Sequence, residues 1–221
     1  MTIPRIASYP MPTGPQPGAG PSRWRPDPLR AALLIHDMQG YFLDFFPPGR
    51  SPTTELVSNT VRARETARSA GLPVIYSAQP GGMSRAERGL LHDLWGPGMT
   101  DDPRDREIIA ELTPGPPDFV LTKHRYSAFF RTGLAALLSS LGRDQLIVCG
   151  VFAHIGCLFT AGDAFSHDIE AFLLADAVAD FSLRDHLMAL DYATRRCAVT
   201  MTTDQLGEAL SASARRVPPG T

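Results

Sequence analysis

Short apolar runs that alternate with amphipathic stretches are the feature that most constrains how this chain can fold. The apolar runs are Ala31–Ile35, Val74–Ser77, Phe119–Leu121, Leu146–Cys149, Ala171–Leu174 and Ala198–Met201. The amphipathic stretches between them are Thr54–Ala70, Gly133–Leu141, Gly156–Ser166 and Arg184–Arg195. Strands that are apolar throughout are covered on both faces, and strand–helix alternation implies parallel pairing. The pattern predicts a Rossmann-like α/β fold with three layers (αβα) and a parallel sheet of about six strands.

The proline distribution divides the chain into a leading segment and one domain. Eight of the 20 prolines fall within residues 1–30, a density that excludes a helix or a central strand. We predict that residues 1–30 form an extended arm, laid over the domain or partly disordered. The rest of the 221 residues is long enough for one sizeable core. Residues 31–212 are the predicted domain, and residues 213–221 are a C-terminal tail.

Charge and composition exclude several classes of partner. The net charge of −2 gives no electrostatic reason to expect nucleic-acid binding. The chain lacks the roughly 18 consecutive apolar residues of a membrane span, and residues 1–20 lack the apolar centre of a secretory signal. The three cysteines have no zinc-like spacing, so no metal site is expected. We predict a cytoplasmic protein that binds neither nucleic acid nor membrane.

Lys123 is the only lysine in the chain, against 20 arginines. It follows the run Phe119–Thr122, which we interpret as a buried strand. Either one lysine escaped a compositional bias, or it lies where a compact charge or a proton matters. Ligands of open α/β sheets bind outside the carboxyl ends of the strands. Asp37 and Gln79 follow the first two predicted strands, so an acid, an amide and an ammonium are expected to converge there.

These segments resemble a known family. The chain carries His36–Phe42, Ala78–Pro80, Arg88 with Trp95–Gly98, Lys123–Phe129, Gly150–Gly156 and Ala175–Phe181, in the family's order and spacing. It is similar to the isochorismatases of the cysteine-hydrolase-like superfamily, and most similar to the phenazine-pathway and enterobactin-type enzymes. The resemblance runs from about Pro4 to about Leu206.

The resemblance implies an isochorismatase-like fold and a hydrolase acting on an ether bond. The expected substrate is a dianion, isochorismate or 2-amino-2-deoxyisochorismate, whose enolpyruvyl vinyl ether is cleaved to pyruvate and a trans-2,3-dihydro ring acid. The resemblance also implies a homodimer, with no metal or organic cofactor. Which ring substituent the substrate carries stays open.

Vinyl ether hydrolysis needs a general acid that is protonated near neutral pH, because proton transfer to carbon is the slow step. Asp37 is the candidate. Its apolar neighbours Met38, Tyr41 and Phe42 would raise its pKa, whereas Lys123 would lower it. The negative charge of a dianionic substrate would favour the protonated form of Asp37, against the effect of Lys123. Lys123 would then serve mainly to hold the Asp37 carboxyl or a substrate carboxylate. The structural alternative for Asp37 is a helix N-cap.

Further residues are candidates for binding the substrate. Arg88 can grip a carboxylate through two hydrogen bonds, unless it is a solvated surface charge. Gln79 can bind a ring hydroxyl or carboxylate, or brace its loop. Phe42 and Trp95 would form walls that exclude water from the reactive cation, or simply pack in the core.

The turn after the fourth predicted strand separates two enzyme hypotheses. Amidases of the superfamily use a cysteine nucleophile at the position occupied here by Gly156, and Cys157 lies one residue late. At 3.6 residues per turn that slip rotates the side chain by about 100°, so Cys157 should miss the pocket. Gly156 would leave room for the substrate, and backbone N–H groups near it could bind an anion. The family also implies a cis peptide before Phe152.

The sequence departs from the family pattern at two positions. Phe152, a candidate substrate contact, replaces an expected tyrosine, and His124 replaces an expected tryptophan. Arg125, Tyr126, His36, His154, Asp176 and Asp180 are interpreted as structural and left outside the catalytic pair. The alternatives are an amidase that uses Cys157, and a non-catalytic relative that binds a partner.

Overall fold

The computed structural model describes residues 3–14 and 22–214, with a six-stranded sheet at its centre. The strands are β1 (Ala31–His36), β2 (Val74–Ala78), β3 (Phe119–Thr122), β4 (Gln145–Val151), β5 (Glu170–Ala179) and β6 (Ala198–Met201). Their order is β3-β2-β1-β4-β5-β6, and every pairing is parallel. The predicted fold class is confirmed.

Helices cover both faces of the sheet. They are α1 (Gly40–Leu43), α2 (Thr53–Ser69), α3 (Arg85–Arg88), α4 (Leu90–Trp95), α5 (Pro103–Arg106), α6 (Leu134–Ser140), α7 (Leu158–Ser166), α8 (Leu183–Arg196) and α9 (Thr203–Ala214). A single π turn, Ala153–Cys157, leads into α7. The four predicted amphipathic stretches correspond to α2, α6, α7 and α8, whereas α1 lies between β1 and α2, and α3, α4 and α5 lie between β2 and β3.

Successive side chains of β1 point to opposite faces of the sheet, and both faces must be covered by helices. All six of its residues are buried. Leu33 and Ile35 belong to the core under α2 and α9, and Leu34 to the core under α6, α7 and α8. Because both faces of β1 need apolar cover, the run is apolar throughout, as in other parallel sheets.

β3 is less buried than its sequence indicated. Phe119 and Leu121 are partly buried, while Val120 is 53% exposed. The interpretation of this run as a buried strand was wrong, because β3 is an edge strand of the sheet formed by the described residues. Lys123, directly after it, is nevertheless only 1% exposed.

The leading segment packs onto the domain where it is described. Four of its apolar side chains are buried in the core that α2 covers: Ile3, Ile6, Tyr9 and Met11. The predicted arm also includes residues 1–2 and 15–21, and the predicted tail includes residues 215–221, all of which lie outside the described residues. Across residues 3–14 and 22–214, no helix combines the length and apolarity needed to cross a membrane.

Candidate active site

Asp37 sits at the point where the chain leaves β1. Its φ of 50° places it in the left-handed region, which aspartate enters more readily than most residues. Its N–H donates to the Ser77 carbonyl at 3.1 Å, so the bend stays attached to β2. The side chain is 3% exposed, and the Ser77 hydroxyl donates to its Oδ1 at 2.7 Å.

Lys123 follows β3 and reaches across β2 to Asp37, which follows β1. Its N–H donates to the Ala78 carbonyl at 2.9 Å, which continues the β2–β3 register by one residue. Its Nζ lies 2.7 Å from Asp37 Oδ2 and donates to the Arg125 carbonyl at 2.8 Å. Gln79 Nε2 donates to the same Asp37 oxygen at 3.3 Å. Parallel strands end at one edge, so the acid, amide and ammonium do meet.

Opposing effects set the charge of this pair. Burial raises the pKa of Asp37, but the charge of Lys123 and the hydrogen bonds from Lys123 and Ser77 outweigh it, so the pKa is lowered overall. Burial also lowers the pKa of His36 to about 4, which leaves its imidazole neutral. In the substrate-free protein, Asp37 is therefore a carboxylate beside an ammonium.

The ion pair faces a cavity at this edge of the sheet. The eight residues predicted for the site all line it: Asp37, Phe42, Gln79, Arg88, Trp95, Lys123, Phe152 and Gly156. Seven further residues line it: Ile3, His36, Leu91, Tyr126, Val151, Ile155 and Phe181. His124, whose departure from the family pattern raised the question of a changed pocket wall, does not line it.

Arg88 brings a second positive charge to the cavity. It is 4% exposed, and its Nε donates to the Gly96 carbonyl at 2.6 Å. Within the part of the chain that the structure describes, no carboxylate lies within 4.0 Å of its guanidinium. Burial lowers its pKa. A buried cation without an anionic partner is costly, so Arg88 is suited to an incoming carboxylate.

Aromatic rings form the opposite wall. Phe152 packs edge-on against Phe42 with ring centroids 5.8 Å apart, and its centroid is 4.7 Å from that of Phe181. Trp95 packs against Phe181 at 5.7 Å, and its Nε1 donates to the Tyr126 hydroxyl at 2.7 Å. Tyr126, which we had interpreted as structural, thus belongs to the wall. Such a wall limits the entry of water.

Position 156 needs a glycine because the His36 ring packs against it, and not because the substrate needs room there. A Cβ built on it would collide with the His36 ring. A side chain at position 156, where the resemblance places the amidase nucleophile, would therefore meet the His36 ring. Cys157 is fully buried and does not line the cavity, as predicted, and burial raises the pKa of its thiol well above the usual value. A thiol of this kind is a poor nucleophile.

Backbone donors in the π turn are largely occupied. The N–H groups of Ile155 and Cys157 both lie 3.2 Å from the Phe152 carbonyl, and that of His154 donates to Asp180 at 2.6 Å. The predicted anion binding by N–H groups near Gly156 is wrong for these three. The Val151–Phe152 peptide bond is cis, as the family implied.

Of the residues that the sequence did not suggest, Ile3 and Phe181 are the most informative. Ile3 lies in a proline-rich stretch without helical or strand periodicity, and Phe181 follows a strand in a segment that carries two aspartates. No local pattern identifies either of them as a wall residue. His154 and Asp180, left outside the site, pair with each other at 2.5 Å and do not line the cavity. No described group of three or more His, Cys, Asp or Glu side chains is placed to hold a metal.

A buried acid–cation pair at the carboxyl edge of a parallel sheet, facing a cavity with an apolar wall, is the arrangement of an α/β enzyme site. A family model described as the isochorismatase domain matches residues 31–205. The chain belongs to the isochorismatase family. The predicted family, and with it a hydrolase of isochorismatase type, are confirmed.

Relatives with established names are similar along almost the whole chain. The isochorismatase of Bacillus subtilis is 53% identical over 206 residues, 93% of this chain and 66% of that protein. Phenazine biosynthesis protein PhzD1 of Pseudomonas aeruginosa is 52% identical over 93% of this chain and 99% of its own length. Enterobactin synthase component B of Escherichia coli is 43% identical over 93% of this chain and 72% of its own length. The chain thus spans just under two thirds of the Bacillus relative but nearly all of PhzD1.

Solved structures support the fold. A cysteine hydrolase from Pseudomonas syringae superposes with a TM-score of 0.79 at 24% identity, covering 90% of this chain and 99% of that chain. At this identity the match supports the α/β architecture alone.

Proposed function

We propose that this protein hydrolyses the enolpyruvyl vinyl ether of isochorismate or of 2-amino-2-deoxyisochorismate, releasing pyruvate. The observation that carries the proposal is the buried Asp37–Lys123 pair, 2.7 Å apart, beside a cavity that Arg88 also lines, with no carboxylate partner for Arg88 among the described residues. The similarity to named isochorismatases and to a phenazine biosynthesis protein supports the substrate class. The cytoplasmic location and the homodimer stay predictions.

Asp37 is the proposed general acid. In the free protein it is ionised, so it must gain a proton when substrate binds. A dianion beside it opposes the charge of Lys123 and raises the pKa of the Asp37 carboxyl. The protonated Asp37 then transfers its proton to the methylene carbon of the vinyl ether. The electron pair of the double bond forms the new C–H bond, and the ether carbon becomes an oxocarbenium ion.

Water completes the reaction. It adds to the oxocarbenium carbon and releases one proton, which the Asp37 carboxylate accepts. In the resulting hemiketal the C–O bond to the ring breaks: the ring oxygen takes the proton held by Asp37 and leaves as the alcohol, while the hemiketal hydroxyl gives its proton back to the Asp37 carboxylate and becomes the carbonyl of pyruvate. Lys123 stabilises the carboxylate that forms when Asp37 donates its proton. The aromatic wall keeps other water molecules away from the cation.

Arg88 is the proposed partner of a substrate carboxylate. Arg88→Met should raise KM by about 10- to 100-fold, since a hydrogen bond to a charged group contributes about 1.5–3 kcal/mol. The change in kcat should be smaller, because Arg88 is not assigned to the proton transfer. Steady-state kinetics of pyruvate release check this split, and an unchanged KM would remove Arg88 from substrate binding.

Pyruvate release from both candidate substrates is the test of the function. Asp37→Asn should lower kcat by about 10²- to 10⁴-fold, the usual contribution of a general acid. Asp176→Asn is the matched control: Asp176 is an acid on β5 that does not line the cavity. The faster substrate would identify the ring substituent. No pyruvate from either substrate with the wild-type protein would refute the proposal.

The amidase hypothesis is not favoured by this site. Cys157 is buried outside the cavity, and the His36 ring fills the direction of a nucleophile at Gly156. Thiol alkylation should leave pyruvate release unchanged.

A further inference from the structure

The leading segment forms part of the active-site wall. Ile3 lines the cavity and is 8% exposed. It is one of the apolar residues there, whereas Asp37, Gln79, Arg88 and Lys123 supply the polar groups. Ile3 precedes the start of β1 by more than twenty residues, and the segment that carries it is not part of the sheet.

Hydrogen bonds hold this segment to the loop after α1. The N–H of Ile6 donates to the Phe45 carbonyl at 2.8 Å. The Ser8 hydroxyl donates to the Ser51 carbonyl at 2.6 Å, and the Met11 N–H donates to the Ser51 hydroxyl at 3.1 Å. Ile6 and Met11 are buried, so both main-chain and apolar contacts fix the path of residues 3–11.

Tyr9 joins the segment to a second wall element. The N–H of Asp180 donates to the Tyr9 hydroxyl oxygen at 2.8 Å. His186 Nε2 lies 3.1 Å from the Ala175 carbonyl and so carries the proton, which leaves its Nδ1 to accept from the Tyr9 hydroxyl at 3.2 Å. Asp180 is followed by Phe181, which lines the cavity. One hydroxyl therefore connects the segment carrying Ile3 to the loop carrying Phe181.

We propose that Ile3 is a substrate-binding residue of this active site, and that Tyr9 is a positioning residue that holds the segment of Ile3 beside the loop of Phe181. The inference rests on the proposed function and deepens it: the wall faces the hydrocarbon part of the ring substrate, while the carboxylates meet Arg88 and Lys123. Removing atoms from Ile3 widens the cavity on its apolar side, which weakens substrate binding more than proton transfer.

Ile6 provides a matched control. It is as buried as Ile3, at 6% exposed, and it lies on the same segment, but it does not line the cavity. Ile3→Ala and Ile6→Ala remove the same atoms from the same stretch of chain. If Ile3 only supports folding, the two variants should have similar KM values. If Ile3 also forms the cavity wall, the KM of Ile3→Ala should be higher than that of Ile6→Ala.

The first experiment measures kcat and KM for pyruvate release by both variants. Ile3→Ala should raise KM by about tenfold or more, the usual cost of losing apolar contacts to a substrate, with a smaller change in kcat. Ile6→Ala should keep the KM of the wild type. Tyr9→Phe should raise KM without removing any apolar contact of the wall. Equal KM values for Ile3→Ala and Ile6→Ala would overturn the proposal. Should Ile3→Ala fail to fold, Ile3→Val tests the same point with a smaller shift.

A second experiment needs no substrate. The chain has two tryptophans, and Trp95 lines the cavity. In a Trp24→Phe background, acrylamide quenching of fluorescence reports on Trp95 alone. Acrylamide should quench Trp95 fluorescence more strongly in Ile3→Ala than in Ile6→Ala. Equal quenching in the two variants would contradict a place for Ile3 in the cavity wall. If the wild type releases no pyruvate, the proposed function fails, while quenching still decides whether Ile3 closes the cavity.

Discussion

Lys123 is 1% exposed and lies 2.7 Å from Asp37, so neither charge can be removed without leaving the other buried. Ser77 and Gln79 add hydrogen bonds to the carboxylate. Each charge is therefore tolerated in the interior because the other is present, and the proposed chemistry uses both. Changing one partner or both separates the effect on stability from the effect on activity.

Lys123→Met should lower the free energy of unfolding by about 3–5 kcal/mol, because the Asp37 carboxylate loses its buried partner. Urea denaturation of the single variant measures this. The double variant Lys123→Met/Asp37→Asn should recover a large part of the loss, since no buried charge remains. A double variant less stable than Lys123→Met would contradict the charge-pair explanation.

Gly156→Ala should lower the free energy of unfolding by about 1–3 kcal/mol, since the new Cβ must displace the His36 ring. Gly162→Ala is the control, because a Cβ there meets nothing within 4 Å inside α7. That control should be stabilised by about 1 kcal/mol through helix propensity. Thermal or urea unfolding of both variants distinguishes a local collision from a general glycine effect.

At the scale of elements, the sequence identified the strands better than the short helices. The six apolar runs match β1 to β6, because each run must be covered on both faces or lie beside a covered strand. Helices of four to six residues, such as α3 and α4, complete too few turns to show an amphipathic period. The sequence analysis predicted Arg88 in the region after β2 but did not predict helix α3, which carries it. The capping box formed by Ser84 and Glu87 was the sequence pattern that could have indicated this helix.

Ser182 starts α8 and follows directly after the wall residue Phe181. Its hydroxyl accepts from the Asp185 N–H at 3.1 Å, satisfying one of the free donors of the first turn. Ser182→Ala should lower the free energy of unfolding by about 1 kcal/mol, and Ser182→Thr by less. Chemical denaturation measures both. Equal losses in the two variants would mean that the hydroxyl does not cap the helix.

At the scale of the whole molecule, the cavity combines parts of the chain that are far apart in sequence. Asp37, Gln79 and Lys123 could be predicted because the carboxyl ends of parallel strands meet at one edge. Ile3 and Phe181 could not, since their places depend on how a segment and a loop dock on the finished domain. Tyr9 makes that docking specific through Asp180 and His186.

Two buried histidines should make the stability of the whole molecule depend on pH. Burial lowers the pKa of His36 and of His186 to about 4 in the folded state, against about 6.5 when unfolded. The unfolded chain therefore binds protons first as the pH falls. Stability is retained above about pH 6.5 and should fall by about 1.4 kcal/mol per pH unit for each histidine between 6.5 and 4.

Urea unfolding at about pH 7, 6 and 5 measures this dependence. His186→Gln should show a shallower fall than the wild type, because one of the two groups no longer titrates. A fall of the same steepness in His186→Gln would show that His186 does not contribute.

The burial of Lys123 also gives the chain an unusual chemical property. Lysine amines are the common targets of acylating and cross-linking reagents, and here the only lysine lines the cavity at 1% exposure. In the folded protein, such reagents meet no lysine at the surface. The rate at which Lys123 becomes labelled therefore reports directly on how often the edge of the sheet around Asp37 opens to solvent.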